Sequence, residues 1–347
     1  MSIKVSIHGK NGNSQVFLGE VINQLSELLP DKRVILITDK NVHDIYGSLF
    51  ADFSPIVLAP GEEAKSLRSL EFVASQLIDL QADRDSFLLG VGGGVVCDLT
   101  GFMASIYMRG CEFGYLATSL LAMVDASVGG KTGINFGGRK NMLGTFAQPS
   151  FVLCDPIFLD TLPPQEMKNG LAEAFKHTLL QDWSLWPHWT EHIQTMKQGD
   201  AEALTPILEQ SIRFKAQVVN LDEQEKGWRK ILNLGHTLGH AFESALGIPH
   251  GEAIAAGMML DLDLSVRHLQ FPPELAIEIK NWMKSVGYHD LRGQMALPLL
   301  EKYIRNDKKK SDDRLAYPLL KNPGEPELVS WTFAELIHHL QALWEHE

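Results

Sequence analysis

Cysteine is scarce in this sequence, with Cys97, Cys111 and Cys154 the only three among 347 residues. Their irregular spacing in apolar surroundings is typical of reduced, buried thiols and argues against a disulfide framework or a cysteine-rich zinc site. Long apolar runs are missing too: no segment reaches the roughly 20 residues of a membrane-spanning helix, and the first residues, "MSIKVSIHGKNG", do not read as a signal peptide. The sequence therefore predicts a soluble, cytoplasmic protein with no membrane partner.

Positive charge is also in short supply. The chain has 31 Lys and Arg against 43 Asp and Glu, which gives a formal net charge of -12. Proteins that bind nucleic acid neutralise phosphates with an excess of Lys and Arg, so this balance argues against a nucleic-acid partner. An anionic small molecule would need a local pocket of basic side chains.

What the sequence does contain is a clear change of pattern near its middle. The first part alternates apolar, strand-like runs with helical stretches, and the runs are "RVILITD", "SPIVLAPG", "DSFLLGVGGG", "EFGYLAT" and "SFVLCDP". Such an alternation predicts an α/β domain with a Rossmann-like parallel sheet. After "DTLPPQE", long helical periodicity dominates, and Pro163 and Pro164 are suited to a helix start. We therefore predict an α/β domain over 1–162 and a helical domain over 163–347.

Polar residues follow several of the predicted strands. Asp39 and Asn41 come after one, Glu62 and Lys65 after the next, and a third runs through three glycines into a helix that carries Asp98. Ligands of parallel sheets bind at the carboxyl ends of strands, and a glycine turn at a helix start suits a pyrophosphate. Taken alone, the Asp39–Asn41 and Glu62–Lys65 clusters are more typical of a solvated loop or a helix cap, and the glycines are equally typical of a tight strand-to-helix turn. The set as a whole favours a dinucleotide site.

The stretch "MVDASVGGKTGINFGGRKNMLG" carries Asp125, Lys131, Arg139, Lys140 and Asn141 among many glycines. Lysines on a glycine-rich backbone suit a phosphate. A β-hairpin with exposed lysines explains "FGGRKN" as well. The local sequence leaves both interpretations open.

Metal-capable side chains stand in otherwise apolar helical segments. His236 and His240 are four residues apart and would share one helix face, while Gly235 and Gly239 beside them suggest a close approach by a neighbouring helix or a ligand. A catalytic zinc site needs three protein ligands. The spacing leaves open which ones, and the candidates are His177, His236, His240, His250, Glu173, Glu243 and Glu252.

An ordered series of motifs resembles the 3-dehydroquinate synthase family, a branch of the sugar-phosphate cyclases. The motifs are "TDKNV", "PGEEAKS", "GGGVVCD", "YMRG", "TSLLAMVDASVGGKTGIN", "KNMLG", "GLAEAFKH", "NLGHTLGHAFE", "HGEA" and "DKKK". The resemblance implies an NAD-binding α/β domain and a helical metal-binding domain in a homodimer. It also implies conversion of 3-deoxy-D-arabino-heptulosonate 7-phosphate to 3-dehydroquinate and phosphate, a step of the shikimate pathway towards chorismate and the aromatic amino acids. The implied chemistry is transient oxidation by NAD, phosphate elimination, reduction and an intramolecular aldol reaction.

The resemblance also assigns roles to individual residues. The implied ligands of Zn²⁺ or Co²⁺ are Glu173, His236 and His250. The implied NAD contacts are Asp39, Asn41, Glu62, Lys65, Gly94, Val95, Val96, Cys97, Asp98, Thr118, Ser119, Lys131, Lys140, Phe158, Leu159, Asp160 and Thr161. The implied contacts with the phosphorylated sugar acid are Asp125, Lys131, Asn141, Lys176, Lys215, Arg229, Asn233, His240 and Lys308. Arg109 is expected to reach the substrate phosphate of the neighbouring subunit.

Other functions fit parts of this pattern. A sister cyclase of the 2-epi-5-epi-valiolone or 2-deoxy-scyllo-inosose synthase type would share the fold and both cofactors, but Lys215, Asn233 and His240 are the residue types expected of the dehydroquinate branch. A polyol dehydrogenase related to the iron-containing alcohol dehydrogenases typically has Asp as its first metal ligand, where this chain has Glu173. A binding protein without catalysis leaves the full ligand and lysine set unexplained.

Overall fold

Two compact units make up the chain. A computed structural model describes residues 3–10, 12–307 and 314–345. One unit consists of Met1–Met167 with Gln198–Gln224, and the other of Lys168–Lys197 with Glu225–Glu347. Lys215 thus belongs to the first unit, although it follows the boundary predicted after residue 162. The assignment of NAD binding and metal binding to the two halves stays a prediction.

The strands of the first unit form one large sheet and one hairpin. In chain order they are β1 (Ile3–Gly9), β2 (Gly12–Leu18), β3 (Val34–Asp39), β4 (Pro55–Leu58), β5 (Phe87–Gly92), β6 (Glu112–Ala117), β7 (Lys131–Phe136), β8 (Arg139–Phe146) and β9 (Phe151–Cys154). The sheet has the order β1-β2-β9-β6-β5-β3-β4, and β7 pairs with β8 in the hairpin. All neighbours in the large sheet are parallel except the β1–β2 pair at its edge.

Helices occur in both units. They are α1 (Leu25–Leu28), α2 (Lys40–Tyr46), α3 (Leu67–Asp79), α4 (Gly94–Ile106), α5 (Pro164–Gln181), α6 (Trp186–Met196), α7 (Ala201–Leu221), α8 (His236–Leu246), α9 (His250–Leu269), α10 (Pro273–Ser285), α11 (Leu297–Asp307) and α12 (Phe333–Trp344). As predicted, α5 begins within the Pro163-Pro164 pair, where proline's fixed φ suits a first helical turn.

The core of the first unit lies on its parallel sheet. Every residue of the central strand β5 is buried, because in a parallel sheet a central strand is covered on both faces by helices. This explains why its sequence is an uninterrupted apolar run. The predicted α/β class with a parallel sheet is confirmed.

The second unit is mainly helical, as predicted. Its core joins α8 and α9 to α12, with Leu238, Phe242, Leu260, Leu336 and Leu340 almost fully buried. The unit also contains an antiparallel hairpin, β10 (Arg314–Asn322) and β11 (Glu325–Thr332), that was not predicted from the sequence. The hairpin adds Tyr317 and Trp331 to the same core, so it completes the helical unit.

Candidate functional site

The predicted cofactor residue Asp39 ends β3 and caps α2. Its Oδ1 accepts hydrogen bonds from the backbone N–H groups of Asn41 at 2.9 Å and Val42 at 3.1 Å. The cap satisfies two amides at the start of the helix. Helix capping, one of the two interpretations left open by the sequence, is therefore present, and a second role toward a ribose stays a prediction.

The segment Phe158–Thr161 meets α2 through an aromatic side chain. The Tyr46 hydroxyl lies 2.7 Å from Thr161 Oγ1, and its ring packs against Phe158 with centroids 4.8 Å apart. Phe158 and Leu159 are buried, whereas Asp160 and Thr161 are exposed. The segment Phe158–Thr161 is thus anchored to the C-terminal end of α2, the helix that begins beside Asp39 and Asn41, although 115 positions separate Tyr46 from Thr161.

The glycine turn after β5 lies against the end of β6. A side-chain carbon added at Gly93 would stand 3.2 Å from Ser119 Oγ, and the Thr118 N–H donates to the Gly92 carbonyl at 3.0 Å. A side chain at Gly93 would therefore require the Ser119 hydroxyl to move by a few tenths of an ångström. Val95, Val96 and Cys97 continue into α4, where burial raises the pKa of the Cys97 thiol well above its usual value. The Cys97 thiol is consequently chemically unreactive.

A buried lysine links residues assigned to the cofactor and to the substrate. Lys65 is 6% exposed, and its Nζ donates to Asp98 Oδ2 and to Asn141 Oδ1, each at 2.6 Å. Burial raises the pKa of Asp98, and the charge of Lys65 opposes that rise. The cluster brings the turn that follows β4, the N-terminal half of α4 and β8 to one place in the first unit.

The "FGGRKN" segment is a β-hairpin turn, with Gly137 and Gly138 in left-handed conformation between β7 and β8. Lys131 and Lys140 on the two strands are exposed. Elsewhere in the unit, Lys215 Nζ donates to the Asp125 carbonyl at 2.5 Å and to Asp125 Oδ1 at 2.6 Å. Asp125 itself lies in a single π-helical turn, Ala122–Ala126, a feature that is frequent at functional sites.

Glu173, His236 and His250 come together in the second unit. Glu173 is 1% exposed, and its Oε1 lies 3.4 Å from Nε2 of His236 and 3.4 Å from Nε2 of His250. One ligand atom from each residue lies within 4.8 Å of the others. Two imidazole nitrogens and one carboxylate oxygen are a donor set that suits a catalytic zinc ion.

The second ring nitrogen of each histidine, Nδ1, lies near an oxygen acceptor, as is usual for histidines that bind a metal ion. His236 Nδ1 lies 3.1 Å from the Leu234 carbonyl, and His250 Nδ1 lies 3.5 Å from Glu243 Oε2. These contacts direct both Nε2 atoms toward Glu173. The residues present therefore fit a divalent metal ion.

The charges around Glu173 favour its ionised form. Burial raises the pKa of its carboxyl, but ion pairing with Lys176 and the two histidines outweighs this and holds that pKa well below its usual range. Burial and the charge of Lys176 lower the pKa of His236 well below its usual value. Burial opposes protonation of His250, yet Glu173 and Glu243 raise its pKa to about 9. A metal ion must therefore displace a proton from His250.

His240 lies beside this group. Its ring centroid is 5.2 Å from that of His236 and 6.1 Å from that of His250. The close approach inferred from Gly239 is confirmed, because a side-chain carbon there would stand 2.9 Å from the Ala253 carbonyl on α9. That packing of α8 on α9 brings the start of α9, and so His250, to the other histidines.

The remaining predicted residues are spread more widely. Arg229 is 1% exposed in the short helical segment Trp228–Asn233, and Asn233 Nδ2 donates to Glu225 Oε1 at 2.7 Å. Arg109 is exposed and has a left-handed backbone, with φ of 71°. Lys308 lies outside the described residues. Asn135 contacts Glu62 and Asn141 but was not among the predicted site residues, and only its place in "GKTGIN" could have indicated it.

Comparison with known proteins gives consistent matches along most of the chain. Residues 55–169 match the model of the 3-dehydroquinate synthase N-terminal family, and residues 170–310 match that of the C-terminal family. A 3-dehydroquinate synthase of Leptospira interrogans is 38% identical over 334 residues, covering 94% of this chain and 90% of that protein. One from Nitrosospira multiformis is 40% identical over 312 residues, covering 86% and 84%.

A solved structure agrees in fold. The 2-epi-5-epi-valiolone synthase of Streptomyces hygroscopicus, with NAD⁺ and Zn²⁺ bound, superposes with a TM-score of 0.88 at 25% identity, covering 98% of this chain and 99% of that one. Within the described part of this chain, no helix has the length and apolar character needed to cross a membrane.

Proposed function

This chain belongs to the 3-dehydroquinate synthase family, and we propose that it converts 3-deoxy-D-arabino-heptulosonate 7-phosphate to 3-dehydroquinate and phosphate with NAD and a divalent metal ion. The reaction is a carbon–oxygen lyase reaction that eliminates phosphate. The relatives named for this activity are 38% and 40% identical, against 25% for the valiolone synthase. This difference favours the dehydroquinate branch over a sister cyclase.

The observation that carries the proposal is the donor set of Glu173, His236 and His250. Three ligands leave coordination positions open, as a substrate with vicinal hydroxyls requires. When bound, the metal supplies Lewis acidity and NAD supplies a hydride acceptor that the reaction restores. Zn²⁺ is proposed because two imidazoles and a carboxylate suit it, and Co²⁺ accepts similar ligands.

The chain's own residues bind and orient the substrate. Its carboxylate and phosphate need positive charge, which Lys131, Lys176 and Arg229 provide in a chain of net charge -12. Lys215 fixes Asp125 through two hydrogen bonds, so the Asp125 carboxylate is held in one orientation. Asn141, Asn233 and His240 contribute polar contacts, and Lys308 is proposed as a further basic contact on the basis of the motif alone.

NAD is proposed to bind the first unit at the strand ends. The acidic groups of Asp39 and Glu62 suit ribose hydroxyls, and the N-terminus of α4 at Gly94 suits the pyrophosphate. The other proposed contacts are Asn41, Lys65, Val95, Val96, Cys97, Asp98, Thr118, Ser119, Lys131, Lys140, Phe158, Leu159, Asp160 and Thr161.

A homodimer with Arg109 at its interface is part of the proposal. Arg109 and Met108 adopt left-handed conformations in an exposed turn, and the apolar side chains of Ile106 and Met108 beside it are 47% and 51% exposed. A neighbouring subunit would cover these apolar groups and receive the guanidinium at its substrate phosphate. Mixing Arg109→Ala subunits with Lys131→Ala subunits then restores activity in part of the dimers, whereas a monomeric enzyme would recover none.

The function is tested by measuring phosphate release from 3-deoxy-D-arabino-heptulosonate 7-phosphate with catalytic NAD and added zinc, while NADH absorbance is followed in the same cuvette. We expect stoichiometric phosphate and 3-dehydroquinate without accumulation of NADH. Turnover of sedoheptulose 7-phosphate or glucose 6-phosphate instead would assign a sister cyclase. Net NADH production would assign a polyol dehydrogenase.

A further inference from the structure

The β7–β8 hairpin has an irregular register next to the predicted substrate residue Asn141. Ile134 pairs with Leu143, but the next pair joins Phe136 to Arg139, so residues 140–142 all lie opposite the single residue Asn135. Bulges of this kind redirect side chains and are frequent beside active sites. The bulged segment contains Lys140 and Asn141, which the proposed function assigns to NAD and to substrate.

Asn135 compensates for the interrupted pairing with three hydrogen bonds. Its Oδ1 accepts from the Asn141 N–H at 2.9 Å, and its Nδ2 donates to Glu62 Oε1 at 2.8 Å. Its own N–H donates to the Lys65 carbonyl at 2.8 Å. One residue therefore ties the hairpin to the turn that contains Glu62 and Lys65.

Asn141 needs this support because its φ of 52° lies in the left-handed region, which residues other than glycine adopt at a cost unless their surroundings fix it. Asn135 holds its backbone N–H, and Lys65 Nζ holds its side-chain Oδ1 at 2.6 Å. Lys65 lies in the turn assigned to the cofactor. Asn135 is hydrogen-bonded to the same turn, at Glu62 and at the Lys65 carbonyl.

We propose that Asn135 is a positioning residue that fixes Asn141 for the substrate and couples it to the cofactor turn through Glu62. This proposal rests on the proposed function. It makes NAD binding and substrate alignment depend on one amide side chain, because the same amide contacts Glu62 with its nitrogen and Asn141 with its oxygen.

Two substitutions separate the two contacts. Asn135→Ala removes both. Asn135→Asp keeps an oxygen that can accept from the Asn141 N–H but places a carboxylate against Glu62. The control is Asn220→Ala in the same unit, where Asn220 also makes two hydrogen bonds, accepting from the His8 N–H at 2.8 Å and donating to the Ser6 carbonyl at 3.4 Å.

The experiment measures NAD affinity by calorimetry, kcat/KM for the heptulosonate phosphate at saturating NAD, and hydrogen exchange of peptides that contain Asn141. For Asn135→Ala we expect a loss of kcat/KM of about tenfold, as one lost hydrogen bond allows, weaker NAD binding and faster exchange. For Asn135→Asp we expect weaker NAD binding with exchange and kcat/KM closer to the parent. Asn220→Ala should match the parent in all three.

The inference is overturned if both variants at position 135 keep the parent's NAD affinity, kcat/KM and hydrogen exchange. A lower melting temperature would not rescue it, because a loss of stability alone indicates only a structural role for Asn135. Should Asn135→Ala fail to fold, Asn135→Asp decides by the same criteria. A parent enzyme that does not turn over the substrate would refute the proposed function, while NAD affinity and exchange would still judge Asn135.

Discussion

Replacing Glu173 with Gln tests the metal centre most directly. The substitution keeps the size of the side chain and removes its charge. In the native protein that charge lies within an ion pair with Lys176, and both side chains are 1% exposed. It also faces the Nε2 atoms of His236 and His250 at 3.4 Å. Two separate effects are therefore expected, one on the metal-free protein and one on metal binding.

The magnitudes follow from burial and from linkage. Removing one partner of a buried ion pair costs about 3–5 kcal/mol, and a unit of this size loses about 2–4 °C of melting temperature per kcal/mol. Metal-free Glu173→Gln should therefore melt about 10 °C below the parent. Zinc at a hundredfold excess over its Kd stabilises a folded protein by about 2.7 kcal/mol. The parent should gain about 5–10 °C from zinc, and the variant, without its anionic ligand, almost nothing.

The assay is thermal unfolding in EDTA and in buffered zinc, with Lys176→Met as the matched control. That variant breaks the same ion pair but keeps the three ligands. It should lose stability in EDTA and gain at least as much as the parent from zinc, since the metal ion supplies a new positive partner for Glu173. If Glu173→Gln gains as much from zinc as the parent does, Glu173 is not a ligand and the assignment is refuted.

Three further predictions concern other residues. Glu243→Gln should weaken zinc binding about 10–100-fold, because Glu243 orients His250 across 3.5 Å, and competition with a chelator measures this; an unchanged Kd would contradict that role. Lys215→Met should lower kcat/KM at least tenfold at an unchanged NAD Kd, since charged hydrogen bonds like those to Asp125 are worth about 1.5–3 kcal/mol; a parallel loss of NAD affinity would instead indicate a collapsed fold. Alkylation of Cys111 by iodoacetamide should accelerate about tenfold per pH unit through pH 8–10, because burial raises the pKa of its thiol to about 11. An alkylation rate that levels off near pH 8 would show that the thiol has an unshifted pKa.

The parallel sheet could be predicted because its signal is local. Buried strands such as β5 and β9 are continuous apolar runs, and each is followed within a few residues by a turn or a helix. The hairpins β1–β2 and β10–β11 were not predicted. Strand β1 alternates buried or half-buried residues with exposed ones, and β11 likewise has few fully buried positions. Strands β1 and β11 therefore resemble surface loops in composition. Their partners β2 and β10 do contain buried runs, at residues 16–18 and 317–320, so exposure explains only one strand of each missed hairpin.

The spacing of histidines along the sequence does not identify the predicted metal ligands. Helical periodicity favours His236 and His240, which share a helix, but Glu173 reaches His236 and His250, fourteen positions apart on two helices. The turn between α8 and α9 ends at Pro249, and the close packing at Gly239 returns α9 along α8. The pair is therefore set by how two helices cross. The resemblance to the family selected these ligands, whereas periodicity could not.

The role of Asn135 could not be predicted from the sequence for a related reason. The same reason indicates where other positioning residues can be found. The role of Asn135 depends on a register shift, which moves Asn141 relative to β7 without changing any residue type. A prediction from the sequence pattern assumes that two strands pair without interruption. With uninterrupted β7–β8 pairing, Asn135 would lie opposite Met142. Once residues 140–142 bulge, the amide of Asn135 faces backbone that has lost its ladder partner. An asparagine opposite a bulge beside glycines is thus a candidate positioning residue wherever a hairpin carries substrate contacts, because the amide can donate and accept at once.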